Sequence, residues 1–405
     1  MISIANILSP SAVSEYFREE LTSTPSRWEG RSADHLAISG SPVTLEGFIR
    51  AAHGLSPEDG ISALAQVYRS DRRSGSDWVL SPSKSISIAA LVSPHGQTYR
   101  DAYATATQSV LTFLETKAAT NYSRQPRVET KNILAARIHH ALSRHGDPHL
   151  HTHLEIFNTP FDSRTSQWRN LETFQMFKQV KQADQLLNAE LYTHLRRAGI
   201  QGLELDQEGR CFLPGLTNIE HRFSKAQDMI DQKANEILLR EPVPPHFQRA
   251  LSRQWANDRY RPNKPKGHSE TNLEPHIVNW NQQLTDKELA NLEEVTRPSE
   301  TFNDSSGQQI ELLHQQYRLA LTNRLREKTS PLPCTEEIAA HACITSPGFA
   351  TFEERTALGK PPRKPLDLVK KRRITAHQNW KQSTTTQTLS SHAKLTNRSH
   401  SAQRR

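Results

Sequence analysis

Six of the chain's 19 histidines fall within fifteen residues: His139, His140, His145, His149, His151 and His153. Neutral imidazole is the commonest protein metal ligand, so the question is whether these rings can converge. Side chains alternate faces along a β-strand, which puts His151 and His153 on one side, roughly 6–7 Å apart along the strand. If a preceding strand pairs antiparallel with this one, either His139 or His140 joins them, and its neighbour points away. His149 shares the parity of His151 and His153, and spacing leaves it open as a further ligand. Three imidazoles drawn from two adjacent strands keep coordination positions free, as a catalytic metal site requires.

The elements that must position these rings are two strands over residues 132–142 and 149–158. Between them Arg144, His145, Gly146, Asp147 and Pro148 carry turn chemistry. The rest of the chain reads as mixed α and β. Residues 2–8 form a strand, and Ser9-Pro10 then caps and opens a helix that continues through Val13, Tyr16 and Phe17. Residues 78–80 form a strand and 98–117 a helix. One long helix is expected over 172–197, stopping near Gly199, followed by a hairpin over 203–213 that turns at Glu208-Gly209. Further helices are expected over 223–239, 286–294 and 308–326, while the Pro-, Arg- and Asn-rich stretch between Pro242 and Pro275 suggests no element.

The run HALSRHGDPHLHTH at residues 140–153, followed by Asn158, closely resembles the metal motif of the TrwC/TraI-type (MobF) conjugative relaxases, members of the HUH endonucleases. Other blocks follow in the same order. Tyr16-Phe17 stands where the family has its first tyrosine pair, and Trp28-Glu29-Gly30, with Ala33 and Leu36, is similar to the segment after it. SDWVLSPSKSIS at 76–87 resembles the family's DLTFSAPKSVS block. QWRNL at 167–171 and the helix bearing Glu190, Leu191 and Leu195 also fit, as does Phe223-Ser224-Lys225, similar to FSKR. Departures are the absence of any tyrosine between Tyr16 and Tyr68, Phe17 in place of a second tyrosine, and Ala226 in place of the arginine of FSKR.

The resemblance implies an α+β fold in which a central antiparallel sheet carries a three-histidine metal site and is flanked by helices. His140, His151 and His153 would hold one divalent ion. Mg or Mn would be favoured by a phosphate substrate, with Zn, Ni or Co accessible to an imidazole set. Tyr16 would attack a phosphodiester of single-stranded DNA at a transfer origin, giving a 5′-phosphotyrosine and a free 3′-hydroxyl. A phenol's pKa of about 10 calls for a base or a nearby cation. Asp77 would serve as that base or orient a ligand histidine. Lys84 and Arg144 are candidate phosphate contacts. Trp28 and Trp168 are candidate stacking platforms for bases, although packing is the ordinary role of a tryptophan.

Only 35% of the residues are hydrophobic and the net charge is +8. Residues 355–405 hold thirteen Lys or Arg against the single acidic Asp367, which leaves residues 1–354 at −4. The basic excess therefore belongs to a tail too poor in large apolar residues to fold, a DNA tether or a secretion signal. The expected organisation is a relaxase domain over 1–240, a partly helical extension over 241–354 that could grip DNA, and the disordered tail over 355–405. No apolar run reaches the roughly 20 residues of a membrane span, residues 1–8 do not make a signal peptide, and three cysteines without CxxC spacing suit a reducing cytoplasm. No GxxxxGK[ST] phosphate loop occurs, so unwinding falls to a separate helicase; a type IV secretion coupling protein is the other expected partner, with export through that channel. Two other functions use similar residues: a rolling-circle replication initiator, and a DNA-binding protein that no longer cuts.

Overall fold

The computed structural model describes residues 1–7, 21, 24–65, 73–122, 125–240 and 272–299. The strands are β1 (Ile2–Ile7), β2 (Ser26–Glu29), β3 (Gly75–Leu80), β4 (Ala119–Tyr122), β5 (Gln125–Glu129), β6 (Ala135–Leu142), β7 (Pro148–Phe157), β8 (Phe161–Asp162), β9 (Gln167–Trp168), β10 (Glu204–Leu205) and β11 (Cys211–Phe212). The α-helices are α1 (Arg31–His35), α2 (Leu45–His53), α3 (Lys84–Leu91), α4 (Gly96–Lys117), α5 (Thr173–Phe177), α6 (Val180–Arg197), α7 (Lys225–Arg240), α8 (Glu274–Gln282) and α9 (Asp286–Thr296).

Five strands form one sheet in the order β1-β3-β7-β6-β2, and every neighbouring pair is antiparallel. This is the α+β arrangement anticipated above. The two faces of the sheet serve different ends. Ile2, Ile4, Trp78, Leu80, Leu154 and Ile156 alternate onto the back, where they join a large core. There α3 lies on β7, and α4 packs along both α3 and α6. Trp28, Ala136, Ile138 and Phe157 belong to a second, smaller core with Phe48 and Leu64. On the side of β3, β6 and β7 away from the large core, the period of two sets Asp77, His140, His151, His153 and Glu155 beside these smaller-core residues.

Two local features depart from the expectations. The helix expected over 172–197 is two helices. The Glu172 carboxylate caps α5, accepting from the amides of Phe174 and Gln175 at 2.9 and 3.4 Å. The chain then tightens, the Gln179 amide donating to the Met176 carbonyl at 2.9 Å, before α6 begins. The break lets Phe177 meet Trp78 under the sheet, ring centroids 6.0 Å apart, while α6 takes its own line along α4. The helix α8 had no counterpart in the expected elements. The hairpin turning at Glu208-Gly209 is present as β10 and β11, with Gly209 at φ 80°, and α9 starts at a capping box formed by Thr285 and Glu288. The expected helices over residues 9–17 and 308–326 and the basic tail lie outside the described residues.

Candidate metal centre

The histidine hairpin is β6 and β7, with His140 paired to His151, His139 to Thr152 and Ile138 to His153. Paired residues of an antiparallel ladder share a face, so this register settles which neighbour joins the site. His140 does. His139 turns to the back, its Nδ1 2.8 Å from the Thr152 hydroxyl, where burial and the Arg137 charge push its pKa down to about 3. The rings of His140, His151 and His153 stand 5.1, 5.2 and 5.4 Å apart between centroids. His140 is 2% exposed and His153 6%.

The register slips between His140 and Leu142, which is a bulge beside the site. It carries His149 out of simple alternation. The His149 ring stacks on His151 at 4.7 Å and forms part of the wall of a cleft of about 540 Å³, together with Ser3, Val79, Ser83 and Lys84.

Hydrogen bonds orient two of the three rings. His153 Nδ1 lies 2.9 and 3.0 Å from the two Asp77 oxygens, and His151 Nδ1 lies 2.9 Å from the His149 carbonyl. A carbonyl can only accept, and a carboxylate accepts, so Nδ1 carries the proton in both rings and the Nε2 lone pair is left to bind a metal. Burial, reinforced by the neighbouring imidazoles, holds the His151 pKa well below its ordinary value. The same causes, with Lys84, bring His149 down to about 4. Neutral imidazole is the form that ligates, so the donor set fits a divalent ion. A second grouping lies just behind it: one donor atom each from Asp77, His153 and Glu155 falls within 4.8 Å of the others.

The turn that joins the strands is anchored from inside and outside. Within it, the Ser143 hydroxyl accepts from the amides of His145 and Asp147 at 3.2 and 3.1 Å, and Gly146 takes φ 74°. From outside, the Lys225 amide at the start of α7 donates to the Asp147 carboxylate at 3.1 Å, Lys84 Nζ donates to the Pro148 carbonyl at 2.8 Å, and Trp280 Nε1 donates to the Gly146 carbonyl at 2.9 Å. Trp280 is 1% exposed. Its replacement by alanine removes both a large buried side chain and that bond, and is expected to destabilise the protein by about 3–5 kcal/mol, read from urea unfolding. A loss below about 1 kcal/mol would mean that α8 does not hold the turn.

The residues singled out from the sequence fare differently. Asp77 joins the histidines, and Tyr16 lies outside the described residues. Lys84 opens α3 and has its pKa lowered to about 8 by burial. Arg144 is half-buried in the turn. Trp28 takes the packing role ordinary for a tryptophan: it is 3% exposed and packs on Phe157, ring centroids 5.7 Å apart, which is not the setting of a stacking platform for bases. Trp168 is half-buried against Phe161, ring centroids 5.1 Å apart. Glu155 was not anticipated. Its local signal is a single acidic residue at an inward position of a strand, beside apolar Leu154 and Ile156.

The family model that matches this arrangement is the TrwC relaxase, over residues 7–286. The chain belongs to the TrwC relaxase family. The multifunctional conjugation protein TraI of Escherichia coli strain K12 is 26% identical over 233 residues, a match covering 53% of this chain and 13% of TraI. The chain thus spans a small part of the length of that relative. Among solved structures, the conjugative relaxase TrwC in complex with oriT DNA, copper-bound, is similar with a TM-score of 0.59 and 25% identity over 72% of this chain and 99% of that one. TrwC complexed with a 27-mer DNA comprising the recognition hairpin and the cleavage site is similar with a TM-score of 0.56, 25% identity and the same coverage. A metal cofactor is thus in keeping with both the donor set and the family.

Proposed function

We propose that this chain is a relaxase that nicks single-stranded DNA at a specific site in a transfer origin, serving conjugative transfer or mobilisation. The observation that carries this reading is the convergence of His140, His151 and His153 from two paired strands, with His153 held by Asp77, on a fold shared with TrwC bound to oriT DNA. His140, His151 and His153 would hold one divalent ion, Mg or Mn being favoured by a phosphate substrate, and when bound it would supply positive charge to offset charge developing on the scissile phosphate.

The chain's own residues do the rest. Asp77 fixes the His153 ring through Nδ1, and the His149 carbonyl fixes the His151 ring, so that the site needs little reorganisation during the reaction. The Tyr16 phenolate attacks phosphorus in line. A bond forms between phosphorus and the tyrosine oxygen, the bond to the 3′ oxygen breaks, and that oxygen leaves with the bonding pair and takes a proton from water to become the free 3′-hydroxyl. The phosphodiester energy is kept in the 5′-phosphotyrosine, so the strand can be rejoined. Lys84 and Arg144 contact the DNA backbone, and a separate helicase opens the duplex. The protein works in the cytoplasm and leaves with the DNA through a secretion channel by way of a coupling protein. No helix among the described residues is long and apolar enough to cross a membrane.

The test is incubation of the purified protein with end-labelled single-stranded DNA from the intergenic regions beside its gene. A discrete cut, with a protein–DNA adduct resistant to denaturant, is expected with Mn or Mg and is expected to vanish on adding EDTA. Cutting that survives complete chelation, or DNA binding with no cut in any metal, would count against the reading. A cut that maps to a replication origin would turn it toward a rolling-circle initiator.

A further inference from the structure

On the face of β7 that carries the histidines, Glu155 follows His153 and precedes Phe157, which enters the smaller core with Trp28 and Phe48. Glu155 is 0% exposed. Its ladder partners are Asp77 on β3 and Ala136 on β6, one a carboxylate and the other an apolar methyl. An apolar side chain would pack here at no electrostatic cost, whereas a buried carboxylate is costly unless positive charge or hydrogen bonds compensate it. Placing it opposite a second carboxylate raises that cost. Between the two lies His153, with Nδ1 at 2.9 Å from Asp77 and 3.9 Å from Glu155 Oε1. Asp77, His153 and Glu155 each bring a donor atom within 4.8 Å of the other two.

We propose that Glu155 is a positioning residue for the metal centre, which together with Asp77 holds His153 and supplies negative charge behind it for a divalent cation; the proposal rests on His140, His151 and His153 being the ligands. Two carboxylates match the charge of one divalent ion when the three ligands are neutral imidazoles. A carboxylate behind a ligand histidine raises the basicity of its metal-facing nitrogen, and removing such a group typically weakens metal binding about 10–100-fold. Glu155 thus acts through His153 and touches neither the DNA nor the reacting atoms.

The experiment is a calorimetric titration of the full chain with Mn, alongside the thermal midpoint with and without the ion. Glu155→Gln keeps the shape and removes the charge. Its Mn dissociation constant is expected to rise about 10–100-fold. The metal-free midpoint is expected to hold or rise, because a buried charge is gone, while the increment brought by the metal shrinks. Glu155→Asp keeps the charge and is expected to stay within a few-fold of the parent. Parental affinity in Glu155→Gln overturns the proposal, and so does a loss in Glu155→Asp as large as in Glu155→Gln, which would mean that shape rather than charge matters. If Glu155→Gln does not fold, Glu155→Asp is read against the parent: affinity within a few-fold supports the proposal, and a loss of about 10-fold or more overturns it. Failure of the parent itself to bind Mn is a separate outcome and overturns the ligand assignment instead.

Discussion

Tyr16→Phe is expected to abolish the covalent protein–DNA adduct while leaving affinity for the target strand within a few-fold. The substitution removes one oxygen, the atom proposed to bond to phosphorus, and leaves an aromatic ring of nearly the same volume. The measurement is a denaturing gel of labelled substrate beside a binding assay at fixed salt, since DNA affinity varies steeply with ionic strength. A Tyr16→Phe protein that still forms the adduct would show another residue to be the nucleophile. The single tyrosine also bears on the full cycle. No second tyrosine lies between Tyr16 and Tyr68, so a second cut requires either another protomer or release of the first strand. One protein molecule should therefore yield at most one adduct before rejoining, which a burst experiment with excess substrate reads directly.

The second large effect is a contrast between neighbours. His140→Ala and His151→Ala each remove one of the three proposed ligands, and metal affinity is expected to fall by more than the roughly 100-fold typical of losing a group that merely supports a ligand. Nicking should fall by about 10²–10³ or more, on the scale of losing one group that stabilises transition-state charge. His139→Ala, one residue away, is expected to leave metal affinity unchanged, because the His139 ring is on the opposite face against Thr152. Its cost should appear in stability alone. Calorimetric titration of the three variants separates these outcomes, and loss of metal binding in His139→Ala would contradict the register of β6 against β7.

That contrast also marks how far the linear chain could be read. Two strands and a turn were legible because strand alternation, Gly146 and Asp147-Pro148 are local signals. They sufficed to place His151 and His153 together and to separate His139 from His140. Which of those two joins the site is a matter of register between strands, and residue types alone leave it open. Resemblance to known relaxases favoured His140, and the pairing of His140 with His151 puts it there. Asp77 is 76 residues from His153, and only the pairing of β3 with β7 brings the two within hydrogen-bonding distance.

Other features had little or no local signal. Trp28 carries the same ring whether it stacks a base or fills a core, and the decision belongs to Phe157 and Phe48, far away in sequence. The break between α5 and α6 follows from Phe177 reaching Trp78, a contact that helical periodicity does not encode. Trp280 has no such signal, its helix opening on Glu274-Pro275 at the end of a Pro-rich stretch. Its importance comes from a bond to the Gly146 carbonyl 134 residues away.

By itself, then, the sequence determined the chemistry on offer: imidazoles at strand spacing, a tyrosine at position 16, a turn able to join two strands, and a basic excess confined to residues 355–405. Tertiary structure alone decided which histidine faces which way, that Asp77 and Glu155 stand together behind His153, and that the turn is clamped by Lys84, Lys225 and Trp280. The physical reason is that periodicity is a property of neighbours along the chain. Burial, register and the pairing of buried charges are properties of neighbours in space, and they exist only once the sheet has closed over its two cores.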